Sequence, residues 1–290
     1  MLECMPGPSR KSRRPEIGQV RCKSILCESG ICDYALNCYT GCAHACVYCY
    51  ARFMGRFHHP GKPWGSFVDA KVNAPEVLAR QLRRQRSMWP GSVFVSSVCD
   101  AYQPAEEKFQ LTRRCLGMLI EAGFDVHIQT KSALVQRDFD LLKGAANVSV
   151  CQTVTTLDAP LARRIEPMAA PPAERVETLR LADAAGIRTR AFVGPLLPML
   201  TDGFESVRAV FSALAPLKLV EVYVDRLNLR WGVWPAVSKM LQRIAPDSVS
   251  ATRSMLFDSS ASRTYNRDFR TTIARAAKAA GLNAPLSPAV

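Results

Sequence analysis

Short apolar runs alternate with stretches of helical periodicity from about residue 34 to residue 232. The apolar runs are rich in β-branched residues, as strands are, and the segments between them repeat their apolar positions at the spacing of amphipathic helices. Strands that alternate with helices of this length predict βα units and a parallel sheet or barrel. We expect about six such units.

The pattern assigns both kinds of element to definite positions. The predicted strands are 34–37, 93–95, 124–130, 148–154, 187–193 and 220–224. The predicted helices are 106–122, 138–144, 173–185, 204–214, 235–244 and 263–280. The sequence is thus expected to divide into an N-terminal extension (1–33), a βα core (34–232) and a helical C-terminal extension (233–290) that ends in a loose tail.

The first 21 residues show no periodicity and are rich in Pro, Gly, Ser, Arg and Lys. This composition predicts a flexible basic arm. Its positive charges at Arg10, Lys11, Arg13 and Arg14 are able to contact a phosphate backbone, although a solvated tail is the favoured interpretation.

Polar residues lie at the ends of the five predicted strands after the first, which is itself followed by the cysteines. They are Ser96–Asp100, Thr130–Ser132, Thr153–Thr156, Gly194–Pro195 and Arg226–Asn228. In parallel α/β folds, ligands bind at the carboxyl ends of the strands, so these residues are expected to line one mouth. The alternative for any single Ser or Thr is a helix N-cap.

Composition sets the broad class of protein. The chain has 290 residues, of which 48% are hydrophobic, and its formal net charge is +13. The excess of positive charge favours polyanions such as nucleic acid, but it also suits a basic protein whose charge only hydrates its surface. No apolar run of about 18 residues and no signal-peptide pattern is present, which predicts a cytoplasmic protein without a membrane partner.

Cysteine is concentrated at one end of the chain. Eight of the eleven cysteines precede residue 50, a pattern that favours metal or cofactor ligation over disulfides in a reducing compartment. Cys42, Cys46 and Cys49 form a C-x3-C-x2-C motif. Three thiolates hold a cubane iron–sulfur cluster with one iron open. Two alternatives are a helical face of core cysteines and, with Cys38, a closed zinc site.

Three further cysteines, Cys22, Cys27 and Cys32, are evenly spaced. Together with Cys4 or Cys38 they are able to form a second metal site. The alternative is that each packs independently.

The cysteine motif resembles that of the radical SAM superfamily, whose C-x3-C-x-aromatic-C loop is filled here by Cys42, Cys46, Tyr48 and Cys49. The surrounding sequence resembles the spore photoproduct lyase-like (DNA repair photolyase-like) family over about residues 22 to 232. The matching segments are 33–52, 63–69, 96–104, 129–132 and 224–228. The resemblance implies a partial (β/α)6 TIM-like barrel. Many members have Pro at the position of Cys38, so Cys38 is not expected to be a ligand.

The resemblance implies a chemistry. Cys42, Cys46 and Cys49 would hold a [4Fe-4S] cluster whose open iron binds S-adenosyl-L-methionine. One electron, from a flavodoxin- or ferredoxin-like reductant protein, would cleave the cofactor to a 5′-deoxyadenosyl radical, which abstracts hydrogen from the substrate.

The resemblance also implies roles for individual residues. Tyr48 would lie beside the adenine. The methionine amino group would contact the end of the second strand at Ser96, Ser97 and Asp100, although the family's usual Gly-Gly-Glu pattern is missing there. Carboxylate or ribose contacts would come from Thr130, Lys131, Thr153 and Thr155. Asn228 would close the mouth from the last strand.

Cys99 is a candidate catalytic residue. It follows the second strand of the core, and in spore photoproduct lyase a cysteine after the cluster returns a hydrogen atom to the product radical. The alternative is a buried structural thiol.

Taken together, these observations predict a radical SAM enzyme, with nucleic acid repair or modification as the favoured reaction. The basic and aromatic segment 52–59 is able to stack on and clamp a nucleotide, or it is a helix and linker. One alternative is a radical SAM enzyme that acts on a small metabolite or peptide. Another is a non-catalytic protein that binds zinc and nucleic acid.

Overall fold

The computed structural model describes residues 14–84 and 90–288. The strands are β1 (Glu16–Val20), β2 (Leu26–Glu28), β3 (Tyr34–Leu36), β4 (Tyr39–Thr40), β5 (Phe67–Lys71), β6 (Ser92–Val95), β7 (Asp125–Thr130), β8 (Val148–Thr153), β9 (Arg188–Leu196), β10 (Glu221–Arg226) and β11 (Leu286–Pro288). The α-helices are α1 (Met54–His58), α2 (Ala74–Arg84), α3 (Ala105–Phe109), α4 (Leu111–Glu121), α5 (Phe139–Leu142), α6 (Ala159–Ile165), α7 (Pro172–Ala184), α8 (Phe204–Leu214), α9 (Val233–Ile244), α10 (Ser248–Phe257) and α11 (Ser259–Ala280).

The main sheet confirms the predicted α/β class. Its eight strands follow the order β11-β10-β9-β8-β7-β6-β3-β2, and the six strands β10, β9, β8, β7, β6 and β3 are parallel to one another, whereas the edge strand β2 is antiparallel to β3. These six are the predicted strands, although β9 continues to Leu196 and so includes Gly194 and Pro195. Within the described residues the edge strands β2 and β11 do not pair, which leaves the sheet open, as in a partial barrel.

The predicted flexible arm is wrong for its last residues. β1 pairs in parallel with β5, and β5 pairs with β4, so that these three strands form a second sheet. β1 is mostly exposed, and therefore carries no apolar alternation that a sequence pattern could detect. Arg10, Lys11 and Arg13 lie outside the described residues.

The predicted helix 106–122 is two helices. Gln110 adopts a left-handed conformation (φ 49°) between α3 and α4. The buried carboxylate of Glu106 accepts hydrogen bonds from the backbone N–H groups of Thr112 (3.0 Å) and Arg113 (3.1 Å), at the start of α4. Glu106 thus caps α4, and this local bonding overrides the continuous helical periodicity.

The C-terminal region is more ordered than predicted. Asp258 caps α11 by accepting hydrogen bonds from the N–H groups of Ser260 and Ala261, so this helix begins four residues before the predicted start. The predicted loose tail is wrong, because β11 pairs in parallel with β10. A helix not predicted from the sequence, α10, connects α9 to α11.

Apolar packing joins the segment that contains Cys42, Cys46 and Cys49 to the C-terminal helices. One core cluster joins Cys46 and Tyr48 to Leu227 and to α9 residues Val237 and Leu241. The other two clusters lie on the two halves of the main sheet, one with α2 and α4 and one with α8 and α11. Within the described residues, no helix is long and apolar enough to span a bilayer.

Gly41 directly precedes Cys42, the first cysteine of the C-x3-C-x2-C motif. It has φ +82°, and a Cβ added to it would lie 2.4 Å from the backbone oxygen of Phe67. We expect Gly41→Ala to lower the free energy of unfolding by about 1–3 kcal/mol more than Gly61→Ala. Gly61 is the matched control, since it has the same φ of +82° but open space around it. Urea unfolding measures both, and equal losses would contradict the prediction.

Candidate active site

The cysteine loop, defined as residues 41–49, is built from turns. The N–H of Ala45 donates to Cys42 O (3.4 Å), and that of Cys49 donates to Cys46 O (3.3 Å). The loop is also fastened to the end of α6, because the N–H of Val47 donates to Ile165 O at 2.8 Å. A helical face of core cysteines is therefore the wrong interpretation of the spacing.

All three thiols of the motif are free of disulfides, and Cys42 and Cys46 are buried. Burial raises the pKa of each thiol, that of Cys46 to about 12; the nearby Cys46 and Cys49 add to the effect on Cys42, and Cys49 adds to that on Cys46. The ammonium of Lys131 acts in the opposite direction on Cys46 and Cys49 and favours their thiolates. Three thiols and the ammonium of Lys131 therefore lie near one another at the cysteine loop.

Cys38 lies apart from this group. It is fully buried in the core, and its Sγ is 3.8 Å from Sγ of Cys115 on α4. Within residues 14–84 and 90–288, no group of three or more His, Cys, Asp or Glu side chains converges on a single ion. The structure therefore does not form the closed zinc site. A cubane cluster makes a different demand, because each thiolate binds a different iron and the three need not converge on one point.

Asp100 connects the loop to two strand ends. Its Oδ1 accepts hydrogen bonds from the N–H of Tyr102 (2.9 Å) and the hydroxyl of Thr130 (2.6 Å). Its Oδ2 accepts the N–H of Lys131 (2.9 Å) and lies 3.3 Å from Nδ1 of His44 in the cysteine loop. Burial alone would raise the pKa of Asp100, but His44 and these donors hold it below its usual range.

These contacts give Asp100 a structural role. A carboxylate has about four acceptor sites, and protein donors here engage all of them. Asp100 therefore positions His44 and the cysteine loop, and its contact with the methionine amino group stays a prediction. Thr130 is similarly engaged, since its hydroxyl also accepts the N–H of Ser132 at 3.0 Å.

A second buried carboxylate, Glu166, holds Tyr48. The Tyr48 hydroxyl donates to Glu166 and lies 3.0 Å from Oγ1 of Thr155. The Thr155 hydroxyl is 2.9 Å from the same Glu166 oxygen and 3.0 Å from Gly194 O. Arg175 pairs with the other Glu166 oxygen at 2.5 Å, and both side chains are 1% exposed. Thr155 therefore serves as part of the frame around Tyr48.

The ammonium of Lys131, unlike the charged groups near it, has no ion-pair partner in the described residues. It lies 5.7 Å from the centre of the Tyr48 ring, and no carboxylate within the described residues pairs with it. Burial works against its charged form, but Cys46 and Glu166 raise the pKa of Lys131 on balance. It is a cation beside the cysteine loop that remains available for an anionic group.

The loop after β6 contains four of the predicted site residues: Asp100, described above, and Ser96, Ser97 and Cys99. Ser96 is buried with φ 69°, an uncommon conformation for a residue other than glycine. Asn37 holds this loop, because its amide donates to Ser97 Oγ (3.2 Å) and its carbonyl accepts the N–H of Val98 (3.1 Å). Cys99 is half-buried, with Sγ 3.8 Å from Asn37 Oδ1, and burial raises its pKa to about 11.

The remaining predicted residues are less closely associated with the loop. Thr153 accepts a hydrogen bond from Gln129 at 3.3 Å on the neighbouring strand, and Asn228 is exposed after β10. Cys22, Cys27 and Cys32 do not gather into a metal-binding group within the described residues. Cys4 lies outside those residues.

Sequence reasoning missed four residues of this site. His44, Tyr50, Glu166 and Arg175 all contact the predicted residues; the Tyr50 hydroxyl, for example, donates to Ser97 O. His44 and Tyr50 lie within or next to the motif and could have been included on that ground. Glu166 and Arg175 follow a different strand, and no local pattern indicates that they reach Tyr48.

Comparison with known proteins identifies the family of this chain. A sequence model of the radical SAM superfamily matches residues 36–209, more than half of the chain. The chain belongs to the radical SAM superfamily. This membership indicates an enzyme of the radical SAM class.

Relatives of the chain include proteins of archaea and bacteria. It is 38% identical over 169 residues to an uncharacterised protein of Methanocaldococcus jannaschii, a match that covers 58% of this chain and 62% of that protein. It is 31% identical over 264 residues to an uncharacterised protein of Mycobacterium tuberculosis, covering 86% of this chain and 77% of that one. The chain thus spans less than two thirds of the archaeal relative.

Solved structures of spore photoproduct lyase have a similar fold. The complex with dinucleoside spore photoproduct matches with a TM-score of 0.68 at 14% identity, over 99% of this chain and 87% of that one. A mutant with bound AdoMet and the same dinucleoside matches with a TM-score of 0.68 at 15% identity, with the same coverage. At these identities the likeness establishes the radical SAM fold.

The buried pair of Glu166 and Arg175 generates a prediction. Glu166→Gln leaves the guanidinium of Arg175 buried without a counter-charge, so we expect it to lower the free energy of unfolding by about 3–5 kcal/mol. Glu177→Gln is the matched control, since Glu177 forms an exposed ion pair with Arg180 at 2.6 Å. The control should unfold almost as the parent does. Similar losses in the two variants would contradict the prediction.

The pH dependence of the same variant provides a second readout. Burial opposes ionisation of Glu166, but Arg175 and Lys131 lower its pKa below the ordinary value of 4.5. A depressed pKa stabilises the fold above that ordinary value, and the contribution is lost as pH falls through the folded value. Glu166→Gln should therefore flatten the acid side of a plot of unfolding free energy against pH.

Proposed function

We propose that this enzyme binds a [4Fe-4S] cluster through Cys42, Cys46 and Cys49, cleaves S-adenosyl-L-methionine and acts on nucleic acid. The observation that carries the proposal is the cysteine loop itself: three free thiols on one non-helical, buried turn at the carboxyl ends of parallel strands. When bound, the cluster and S-adenosyl-L-methionine supply a 5′-deoxyadenosyl radical that abstracts hydrogen.

The donor set suits such a cluster. Thiolates are the usual ligands of iron–sulfur clusters, and three of them leave one iron for a reactive ligand. His44, held by Asp100, and Tyr48, held by Glu166, fix the loop from two sides. Because the thiols are protonated at neutral pH without metal, cluster binding would release protons from Cys42 and Cys46.

Roles for other residues follow from the chemical groups that they present near the cysteine loop. Lys131, whose ammonium has no carboxylate partner in the described part of the chain, would bind the carboxylate of S-adenosyl-L-methionine. Tyr48 would pack beside the adenine, and the backbone around Ser96 and Ser97 would contact the methionine end. Cys99 keeps its proton at neutral pH, since burial raises its pKa to about 11, and a neutral thiol is the form that donates a hydrogen atom.

Two observations favour nucleic acid over a small metabolite or peptide. The formal net charge of +13 attracts polyanions. The fold is also that of an enzyme solved with a dinucleoside, the spore photoproduct. A flavodoxin- or ferredoxin-like protein would supply the electron.

The cofactor chemistry is tested by anaerobic reconstitution. Reduced wild-type protein with S-adenosyl-L-methionine should form 5′-deoxyadenosine, detected by chromatography. Alanine at Cys42, Cys46 or Cys49 should abolish its formation and lower the bound iron. Cys27→Ala is the matched control, because Cys27 is an exposed thiol outside the loop, and it should retain both properties. A wild-type protein that binds zinc and forms no 5′-deoxyadenosine would refute the proposal.

The substrate class is tested by binding. The reconstituted protein should bind a single-stranded oligonucleotide with a logarithmic affinity that falls linearly with the logarithm of salt concentration, by about 0.7 per phosphate contact. Fluorescence anisotropy measures this slope. Absence of binding at low salt would support the alternative of a small metabolite.

A further inference from the structure

Exposed aromatic rings and arginines alternate on the surface beside the cysteine loop. Phe57 is 69% exposed and Trp231 is 57% exposed, which is unusual for residues of this size. The Arg56 guanidinium lies 5.6 Å from the centre of the Phe57 ring and 5.1 Å from that of Trp231. Arg230 lies 5.5 Å from the centre of the Phe53 ring. We call these five residues the aromatic–arginine surface.

The positive charge of this surface is not neutralised by the protein. No carboxylate in the described residues pairs with Arg56 or Arg230. The reason lies in the sequence, because segments 34–68 and 226–246, which supply the surface, contain no Asp or Glu. Arginines stacked on aromatic rings but lacking counter-ions are suited to phosphate contacts.

The surface is continuous with the cysteine loop. Arg52 donates hydrogen bonds to the loop carbonyls Val47 O (3.0 Å) and Cys46 O (3.2 Å). A Cβ added to Gly232, next to Trp231, would lie 3.8 Å from Cβ of Arg52. A ligand on this surface would therefore lie close to the cysteine loop, with Arg52 between the two.

A cavity opens between the surface and the second sheet. Its volume is about 560 Å³, and its walls include Arg52, Arg56, Trp64 and Trp231. The indole N–H of Trp64 is buried and has no hydrogen-bond partner within the described residues. Such a volume is within the usual range for a ligand pocket.

We infer that the aromatic–arginine surface is the docking site for a single strand of nucleic acid, next to the reaction site. Bases would stack on Trp231 and Phe57, while Arg56 and Arg230 contact phosphates. Base stacking on aromatic rings combined with backbone contacts from cations is the general mode of single-strand binding. The inference rests on the proposed function, to which it adds the form of the substrate and the place where it binds.

The test measures binding alone, by fluorescence anisotropy of a labelled single-stranded DNA with the anaerobically reconstituted protein. Trp231→Ala should raise the Kd at least about fivefold, the low end for loss of one base–aromatic stack. Trp231→Phe, which keeps a ring, should retain most of the affinity. Trp231 is exposed, so neither change is expected to disturb the fold.

Arginine variants supply a matched control. Arg56→Gln should reduce the slope of logarithmic affinity against logarithmic salt by about 0.7, the value for one lost phosphate contact. Arg275→Gln removes an exposed arginine that also stacks on an aromatic ring at 5.1 Å, but on the outer helices α8 and α11, and it should leave the slope unchanged. Unlabelled polyglutamate, a polyanion without bases, should compete poorly.

The outcomes separate this inference from the proposed function. If Trp231→Ala and Arg56→Gln bind as the wild type does, or if polyglutamate competes as well as DNA, the surface is not the docking site, while the proposed chemistry is unaffected. If the wild type binds no strand, the inference and the nucleic-acid substrate both fail. If the variants lose affinity as expected but no 5′-deoxyadenosine is formed, the docking site stands and the proposed chemistry fails.

Discussion

The shape of the cysteine loop depends on buried carboxylates, because the loop has no helix or strand of its own. Asp100 binds His44 from one side, and Glu166 binds Tyr48 from the other. Each carboxylate is itself held by donors from another strand end or helix, Thr130 in one case and Arg175 in the other. Buried charges are costly unless they are paired, so these contacts also restrict how the strand ends can be arranged.

The polar groups at the carboxyl ends of the strands are of two kinds, those bonded to other protein groups and those open to ligands. The hydroxyls of Thr130 and Thr155 and the carboxylate of Asp100 are engaged by protein groups, so they act on the frame of the site. The ammonium of Lys131 has no carboxylate partner in the described residues, and the thiol of Cys99 has only a weak hydrogen bond to Asn37 Oδ1 at 3.8 Å, so these two groups are the least engaged by the protein. A polar residue at a strand end therefore indicates that a site is present, but not which atoms of that residue face the ligand.

The parts of the structure that the sequence predicted are those with a repeating signal. The six parallel strands and α8 alternate or repeat their apolar positions, and the cysteine motif is local. β1 and β11 are short and largely exposed, so their place depends on pairing partners that lie far away in the sequence. The break at Gln110 depends on the buried carboxylate of Glu106, and the support of Tyr48 depends on Glu166, 118 residues further along the chain. No pattern within one element carries this information.

Part of the excess of positive charge is concentrated around the cysteine loop. Elsewhere some arginines are paired, as Arg113 is with Asp138 and Asp140, and Arg208 with Glu205. The two segments around the cysteine loop contain no carboxylates, and their arginines instead contact aromatic rings and backbone carbonyls. Because salt screens charges beyond about 10 Å, a polyanion is attracted to unpaired charges that it closely approaches rather than to the total. The unpaired arginines beside the cysteine loop are therefore charges that a polyanion is able to approach closely.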